Sequence, residues 1–451
     1  MAREIIVIDG NDLPNPEDMA MIQALYSRSP RSVKEHLEKV KVKGSASFVE
    51  QYMVQYGHKS IGDCGTTTIC VENVSMLAAK AIQDSALYNG QEASTRYLDM
   101  SKQQLVNPLA GDGPGCQPGG VIQGLWMHTY NHVLRELIPH FEQRFPIEEG
   151  QKPEVWKKAI KAKAFDVARG FLPAGVTTYV AWHTNLRQAN DHLKLLRNHP
   201  AKEIREIAEQ VHSSLLQRYP SSFSHKRYGP EERYVEEGMA AFAYWDDQEV
   251  GHSPVDRISS TSTLDLNGLR PFRDLLMNRP PKAELHPRFR QFGTVTYTFP
   301  LDFGSFRDLQ RQRSPVQEMP LLTTKYGFHP WYLDQLPAKL REAAEGVIAE
   351  QVTALNELEA SAVEKQFFTA MGFLVPTKTV CTLPAAVYIA ELRSSTTVHP
   401  TLRRPAQLMG EDLKARIPHL AMHHDMTADA WSIKRGQQDI VAKPVGVGPT
   451  A

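Results

Sequence analysis

Cysteine is scarce in this chain, which has only four such residues in a length of 451. The four are widely spaced, and no two of them form a Cys-x-x-Cys pair: Cys64, Cys70, Cys116 and Cys381. This spacing indicates neither a disulfide framework nor a structural zinc site, because both depend on paired cysteines. A chain without disulfides is typical of a reducing compartment, so we expect a cytoplasmic location.

Long apolar runs and an excess of one charge are also missing. No stretch approaches the ~20 apolar residues that a membrane-spanning helix requires. The 51 basic side chains are balanced by 51 acidic ones. We therefore expect no membrane partner. We also expect no nucleic-acid partner, because binding to phosphate backbones needs an excess of Lys and Arg.

The signatures of phosphate-binding loops and zinc proteases are absent as well. Residues 107–120 are rich in Gly and Pro, but no Gly-Lys-Ser/Thr sequence closes them, which indicates an ordinary loop. His423-His424 and the pair His132 and His140 lack the i, i+4 arrangement with a carboxylate base that a helical zinc site needs. We expect no catalytic metal.

The most informative stretch that is present is 89–97, Asn-Gly-Gln-Glu-Ala-Ser-Thr-Arg-Tyr. Glu92, Ser94 and Arg96 occupy alternate positions, and alternate side chains point the same way when the backbone is extended. An acceptor, a hydroxyl and a guanidinium on one face suit an anionic ligand with donors, such as a nucleotide. A polar loop with a surface salt bridge is the other interpretation.

The wider segment resembles the signature region of the flavin-dependent thymidylate synthases. The matching pieces are His58-Lys59-Ser60 with Asp63, a strand from Thr66 to Val71, a helix from Ser75 to Gln83, and the Glu-x-Ser-x-Arg-Tyr sequence that ends at Tyr97. One departure lies between them. The family has Arg-His-Arg at the end of the helix, where this chain has Asp84, Ser85 and Ala86.

The same pattern occurs a second time. Residues 293–299 alternate as a strand does, and Arg311-Gln312-Arg313 follows where the family has Arg-His-Arg. Phe171-Leu172-Pro173 has an echo in residues 373–376, and each is followed by a run with an internal Arg, at Arg187 and Arg393. We predict two diverged copies, at 1–225 and 263–440, a linker at 226–262 and a tail at 441–451.

For the fold, the resemblance implies an α+β chain. Each copy is expected to be a small twisted sheet packed with long helices. The family forms homotetramers with active sites between subunits, so two copies in one chain imply a homodimer that is a pseudo-tetramer.

For the site, the resemblance implies contacts that can be assigned residue by residue. Glu92, Ser94, Arg96 and Arg197 would bind the nucleotide, and Arg197, near the uracil or its phosphate, is the candidate catalytic residue. FAD would contact His58, Ser60, Asn185, Arg187, Arg311, Gln312 and Arg313. Methylenetetrahydrofolate and NADPH would be the cosubstrates.

The two copies keep opposite parts of the motif, which permits two hypotheses. In the first, one composite site retains Arg96 from one copy with Arg311 and Arg313 from the other, and the enzyme methylates a pyrimidine nucleotide such as dUMP. The equivalent site, with Asp84 to Ala86 against residues 315–330, is then expected to be closed or unable to accept an anion. In the second, both copies are degenerate and the chain is a silent binding protein or scaffold. A flavoenzyme with an altered pyrimidine substrate is a further alternative.

Overall fold

Two antiparallel sheets organise the chain in the computed structural model, which describes residues 13, 15–27, 32–43, 59–110 and 119–432. The first sheet has the strand order β1-β3-β2 and the second has the order β4-β5-β7-β6. The strands are β1 Thr66–Ser75, β2 Asn89–Glu92, β3 Thr177–Asn185, β4 Ser259–Ser262, β5 Thr294–Asp302, β6 Val316–Glu318 and β7 Leu374–Thr382. All the pairings are antiparallel.

Helices of eight or more residues surround these sheets. They are α1 Pro16–Tyr26, α2 Val33–Lys43, α3 Met76–Gln83, α4 Gly120–Arg144, α5 Pro153–Ala168, α6 Leu186–Arg197, α7 Lys202–Arg218, α8 Gly229–Ala243, α9 Phe303–Gln310, α10 Ala338–Glu357, α11 Leu383–Arg393 and α12 Pro400–Arg416. Shorter helices are Pro220–Phe223, Gln248–Gly251, Leu266–Leu269, Arg273–Met277, Pro330–Asp334 and Ala362–Lys365. The 3₁₀ turns are Lys59–Cys64, Arg169–Phe171, Arg270–Phe272, Pro287–Phe292 and Gln366–Phe368. The fold is thus α+β, as the sequence predicts.

Helix α3, which follows β1, and helix α9, which follows β5, each begin with a side-chain cap. Ser75 ends β1 and accepts a hydrogen bond from the backbone N–H of Ala78, and Asp302 ends β5 and accepts one from Ser305. Ser and Asp favour this position because their oxygens satisfy a free N–H in the first helical turn. Both helices are eight residues long, so their ends lie at equivalent places.

The two halves share a succession of elements. Each has a long strand, an eight-residue helix, a short strand, a helical region, a 3₁₀ turn, a nine-residue strand, a helix and a 17-residue helix. The helical region differs, because the first half has the two long helices α4 and α5, whereas the second has α10 between two short helices. The sheet order also repeats, since β3 lies between β1 and β2 as β7 lies between β5 and β6. An origin by tandem duplication, with the boundaries given above, stays a prediction.

Four backbone hydrogen bonds join the two halves with approximate two-fold symmetry. Their donors and acceptors are Ala174 N–H to Thr369 O, Met371 N–H to Leu172 O, Gly175 N–H to Phe367 O, and Gly372 N–H to Gly170 O. Each bond from the first half to the second has an equivalent in the opposite direction, at one constant offset along the sequence. The halves therefore pack as equivalent units.

This register corrects the predicted echo between residues 171–173 and 373–376. Pro173 forms an isolated antiparallel bridge with Ala370, so the counterpart of 171–173 is 368–370. The two predicted internal arginines are not equivalent either. Arg187 lies at the start of α6, whereas Arg393 is the last residue of α11. The two Phe-Leu pairs match in sequence alone, because the strand register makes Phe171 equivalent to Phe368 and not to Phe373.

One hydrophobic core runs through both halves. Buried residues from each half belong to the same cluster, and the Trp126 indole N–H donates to the carbonyl of Phe368 across the junction. The predicted linker 226–262 contributes regular structure, because it contains α8 and because β4 pairs with β5 at the edge of the second sheet. The predicted tail 441–451 lies outside the described residues.

Candidate active site

The end of helix α9 in the second half contacts the 88–96 segment of the first half. The Arg307 guanidinium donates to the carboxylate of Glu92. The Arg313 guanidinium donates to the carbonyl of Tyr88 and to the side chain of Asn89. The two segments that carry the motifs therefore contact each other within a single chain, and a ligand cavity shared by Arg96, Arg311 and Arg313 stays a prediction.

Arg96 lies in the interior and is paired. Its Nη2 donates to Oδ2 of Asp166 at 2.5 Å, and its Nε donates to the other carboxylate oxygen. Arg96 is 7% exposed and Asp166 is 1% exposed. The carboxylate of Asp166 also accepts from the Trp431 indole N–H at 3.1 Å. A buried, bidentate pair of this kind is a fixed part of the structure rather than a surface salt bridge.

Asp308, one turn before the end of α9, is surrounded by arginines. Arg169 Nη1 lies 3.2 Å from its carboxylate and Arg311 Nε lies 4.0 Å from it. Burial alone would raise the pKa of Asp308, but Arg169, Arg96, Arg311 and Arg393 hold it well below its usual range. We call these four residues the arginine cluster. The buried carboxylate of Asp302 also acts on Arg169, so four guanidinium groups face three carboxylates, Asp302, Asp308 and Asp166, and one positive charge is in excess.

Arg393 is the member of the cluster without a carboxylate of its own. Within the described part of the chain its guanidinium forms no hydrogen bond, and its Nε atom is buried without a partner. Burial lowers the pKa of Arg393, Asp308 opposes that effect, and Arg311 adds to it. Arg393 as a whole is partly exposed, but a buried guanidinium nitrogen without a partner is costly, so this position favours an incoming anion. In the sequence, only the echo at residues 373–376 points to Arg393.

The Glu-x-Ser-x-Arg segment is not extended throughout. Strand β2 ends at Glu92, and the N–H of Tyr97 donates to the carbonyl of Ser94 in a turn. The three side chains therefore do not alternate on one face, and that expectation is wrong beyond Glu92. Glu92 also accepts from Gln83 at 2.8 Å, and the Ser94 hydroxyl accepts from the N–H of Arg96 at 3.3 Å.

The predicted flavin contacts of the first half lie elsewhere on the sheet. Asn185 caps helix α6 at the end of β3, where the Arg187 guanidinium pairs with Asp63 at 2.7 Å. Glu92 pairs with Val180, five residues earlier on the same strand, which corresponds to roughly 16 Å. Ser60 is exposed in the turn that contains Asp63. His58 lies outside the described residues.

Arg197 is engaged on another surface. Its Nε and Nη2 donate to the two carboxylate oxygens of Glu232, at 2.8 and 2.5 Å. This pair joins helix α8 to helix α6. The hydrogen bonds from Arg197 lower the pKa of Glu232 to about 2. Arg197 is not among the arginines that act on Asp308. Its predicted catalytic role stays a prediction, but the structure gives its guanidinium a partner.

The equivalent place in the other half is a cavity of about 760 Å³, which we call the apolar cavity. Its lining includes Lys80, Ala81 and Asp84 of α3, His192, Leu196 and His199 around α6, Tyr234, Gly238 and Phe242 of α8, and residues 316–321 with Gln366. The expectation that this site is closed is wrong. That it does not accept an anion stays a prediction.

Comparison with known proteins supports a relationship to thymidylate synthases for the first half. The family described as thymidylate synthase complementing protein matches residues 9–221. A UPF0159 protein of Chlamydia muridarum is 24% identical over 421 residues, which cover 82% of this chain and 79% of that protein. A UPF0159 protein of Thermoplasma acidophilum is 23% identical over 474 residues, covering 90% and 94%. These findings indicate a function related to thymidylate synthase.

Among the described residues, no helix is long and apolar enough to cross a membrane. The same part of the chain contains no group of three His, Cys, Asp or Glu side chains arranged to hold a metal ion.

Proposed function

We propose that this protein is a thymidylate synthase-like flavoenzyme that transfers a methyl group to a pyrimidine nucleotide, dUMP or a relative. FAD would be its cofactor, and methylenetetrahydrofolate and NADPH its cosubstrates. The observation that carries the proposal is the arginine cluster, because it draws Arg96 and Arg169 from one half and Arg311 and Arg393 from the other. Its excess positive charge suits a nucleotide phosphate.

The cysteines support a mechanism without a protein nucleophile. Burial raises the pKa of Cys381 to about 11, so its thiol stays protonated at neutral pH. Burial also raises the pKa of Cys64, Cys70 is exposed on strand β1, and Cys116 lies outside the described residues. Reduced FAD, when bound, would supply the hydride that such a reaction needs. The tasks left to the chain are binding and orientation.

Each arginine then has a separate role in the proposal. Arg393 offers an unpaired guanidinium to the anion, and Arg169 and Arg96 are held in place by Asp308 and Asp166. Arg311 is 45% exposed, so it is accessible to a second ligand such as the flavin pyrophosphate. Gln312 and Arg313 follow it, and the bond from Arg313 to Tyr88 fixes this end of α9 on the first half.

The test is flavin and nucleotide binding by the purified chain. We expect a yellow protein, or one that turns yellow when FAD is added. Replacing Arg311 and Arg313 together by Ala should weaken FAD affinity at least about tenfold, roughly 1.4 kcal/mol. Replacing Arg341 by Ala is the control, since that arginine forms only exposed ion pairs on α10. An unchanged flavin content in the double variant would contradict the role of the second half.

A silent nucleotide-binding protein or scaffold is the second candidate. The observation that favours it is that Glu92 and Arg96, the two charged residues of the motif, are already paired with Arg307 and Asp166. Asp308 also competes with any anion for the cluster. A turnover assay with dUMP, FAD and the two cosubstrates separates the candidates, because the scaffold predicts no product even when flavin and nucleotide both bind. A homodimer and a cytoplasmic location stay predictions.

A further inference from the structure

A second cavity, of about 510 Å³, lies where the end of α4 meets α5, α12 and residues 429–431. We call it the tryptophan cavity, because Trp331 and Trp431 form part of its wall. The centroids of these two rings are 5.2 Å apart, and their planes lie at 82° to each other. Phe145 adds a third ring to the wall, 6.2 Å from Trp431. Aromatic walls offer a large contact area to a planar ligand.

Basic side chains outnumber acidic ones in the wall of the tryptophan cavity. The basic members are Arg144, Lys163, Arg403 and Arg404, and the acidic members are Asp334 and Asp429. Asp334 is already paired, since it lies 3.0 Å from a guanidinium nitrogen of Arg341, which does not line the cavity. The cavity therefore has an excess of positive charge, in a chain whose formal net charge is zero.

Two of the four basic side chains are held by the protein itself. Arg403 is 5% exposed, donates to the carbonyls of Ser394 and Thr427 at 2.7 and 2.6 Å, and lies 3.4 Å from the carboxylate of Asp425. It is therefore a structural residue whose charge is balanced.

Lys163 is held by aromatic rings rather than by a carboxylate. Its Nζ lies 4.0 Å from the ring centroid of Trp431 and 4.3 Å from that of Phe145, and it donates to the carbonyl of Trp431 at 2.6 Å. Burial lowers the pKa of Lys163 to about 8, and the positive charge of Arg144 adds to this effect. Most Lys163 side chains are still protonated at pH 7, so this residue contributes positive charge to the cavity.

Arg404 and Arg144 have donors to spare. Arg404 is exposed on α12, and within the described residues its guanidinium forms neither a hydrogen bond nor an ion pair. Arg144 is also exposed, and its Nη1 donates to the neutral side chain of Gln335 at 3.1 Å. A guanidinium has five N–H donors, and its hydrogen bonds to a carboxylate are charge-assisted and strong. An anion in the cavity would therefore find donors that the protein does not use.

We propose that the tryptophan cavity binds a small aromatic anion, a planar ring that carries a carboxylate. Arg404 would donate to the carboxylate, Arg144 and Lys163 would add positive charge, and the tryptophan rings would contact the ring of the ligand. The volume of about 510 Å³ falls within the range of roughly 300–1,000 Å³ of small-molecule sites. The cavity shares no residue with the arginine cluster, and the proposal does not depend on the reaction proposed there.

Three probes test the proposal by calorimetric titration of the full-length protein. 2-Naphthoate has the ring and the charge, 2-naphthamide has the ring without the charge, and acetate has the charge without the ring. We expect 2-naphthoate to bind at least about tenfold more tightly than either of the others, or roughly 1.4 kcal/mol. Equal binding of 2-naphthoate and 2-naphthamide would overturn the proposal. So would equal binding of 2-naphthoate and acetate, or no binding of 2-naphthoate.

A matched pair of surface variants tests the donor. Arg404 is the fifth residue of α12, and Arg233 is the fifth residue of α8, exposed and without an ion pair in the described part of the chain. Only Arg404 lines the tryptophan cavity. Arg404→Gln should weaken 2-naphthoate binding at least about tenfold and leave 2-naphthamide binding unchanged, whereas Arg233→Gln should change neither. Full 2-naphthoate affinity in Arg404→Gln would overturn the assignment.

The arginine cluster could also attract an anion, so one more variant separates the two places. Arg393→Leu should leave 2-naphthoate affinity unchanged, and Arg404→Gln should leave flavin content and dUMP affinity unchanged. Loss of 2-naphthoate binding in Arg393→Leu but not in Arg404→Gln would move the anion to the cluster and overturn the proposal. Because the two sites are measured with different ligands, a failure here is distinguishable from a failure of the proposed function.

Discussion

The arginine cluster and the apolar cavity are built from equivalent elements of the two halves. Each lies between the end of an eight-residue helix, the end of the helix after a nine-residue strand, and a segment from the opposite half. The two flanking helices are equivalent, but Arg311 and Arg393 in one place are Asp84 and Leu196 in the other. Helix α8 also forms a wall of the apolar cavity. Side chains and this added helix thus make one place cationic and the other mainly apolar.

The arginine cluster and the apolar cavity also differ in the ion pairs that accompany their charged side chains. The cluster pairs Arg96 with Asp166 inside the first half and Arg169 with Asp308 across the two halves. At the apolar cavity the ion pairs are Lys80–Asp84, whose carboxylate is 43% exposed, and Glu318–Lys378. Charged and apolar sites therefore respond differently to substitution.

The largest effect is expected from Asp166→Asn, which leaves the buried Arg96 without its counter-charge. We expect a loss of about 3–5 kcal/mol in the free energy of unfolding, because breaking one side of a buried pair leaves an uncompensated charge. Urea denaturation measures it. Asp334→Asn is the control, since Asp334 is 54% exposed in its pair with Arg341, and should cost under about 1 kcal/mol. Equal losses would show that Asp166 is not the main partner of Arg96.

A substitution at the eleventh residue of helix α11 tests the comparison directly, because the equivalent residue of helix α6 is Leu196. Arg393→Leu copies the apolar half, and we expect at least about a tenfold loss of dUMP affinity, or roughly 1.4 kcal/mol. Stability should be unchanged or higher, because a partly buried cation whose Nε has no partner is removed. Calorimetry and urea denaturation measure the two quantities, and Arg341→Leu is the surface control. Full nucleotide affinity in Arg393→Leu would exclude this residue from the site.

Acid should destabilise the protein through the histidine beside the apolar cavity. Burial lowers the pKa of His199 from 6.5 to about 3 in the folded chain. As the pH falls from about 6.5 towards 3, the unfolded chain takes up a proton that the folded chain does not, so stability falls. The slope approaches roughly 1.4 kcal/mol per pH unit.

Urea denaturation between pH 7 and pH 5 checks this slope in the unmodified chain and in His199→Asn. Asn keeps an acceptor for the N–H of Ala201 and does not titrate. The variant should therefore show a smaller loss of stability, while the buried His329 and His399, whose pKa values burial also lowers, provide the dependence that remains. The same slope in both proteins would show that His199 does not contribute.

The smallest effect is expected at the edge of the apolar cavity. Asp84→Asn removes the exposed i, i+4 pair with Lys80 and should change the free energy of unfolding by no more than about 0.5 kcal/mol. A larger change would mean that Asp84 stabilises the end of α3 in another way. The difference between the losses in the free energy of unfolding of Asp166→Asn and Asp84→Asn then measures how much more a buried ion pair contributes than an exposed one.

The sequence predicted the local elements and the meeting of the two motifs. The alternating pattern predicted strand β5, the resemblance implied strand β1 and the helix after it, and Ser75 at the start of that helix is the observed cap. Arg96 and Arg311 were expected to come together, and both act on Asp308. Arg169 and Asp308 were not predicted, because a single charged residue in a helix or turn carries no signal that it will be buried by the opposite half.

The sequence by itself determined the α+β fold, the repeated strand–helix pattern and the identity of the charges, because hydrophobic periodicity and capping are local properties. Only the tertiary structure decided which arginines are neutralised. Arg197 forms an ion pair with Glu232 and Arg96 forms one with Asp166. The Nε atom of Arg393 has no partner in the described part of the chain. Pairing between residues distant in sequence depends on how the two halves pack, and ion pairs change in strength steeply with burial.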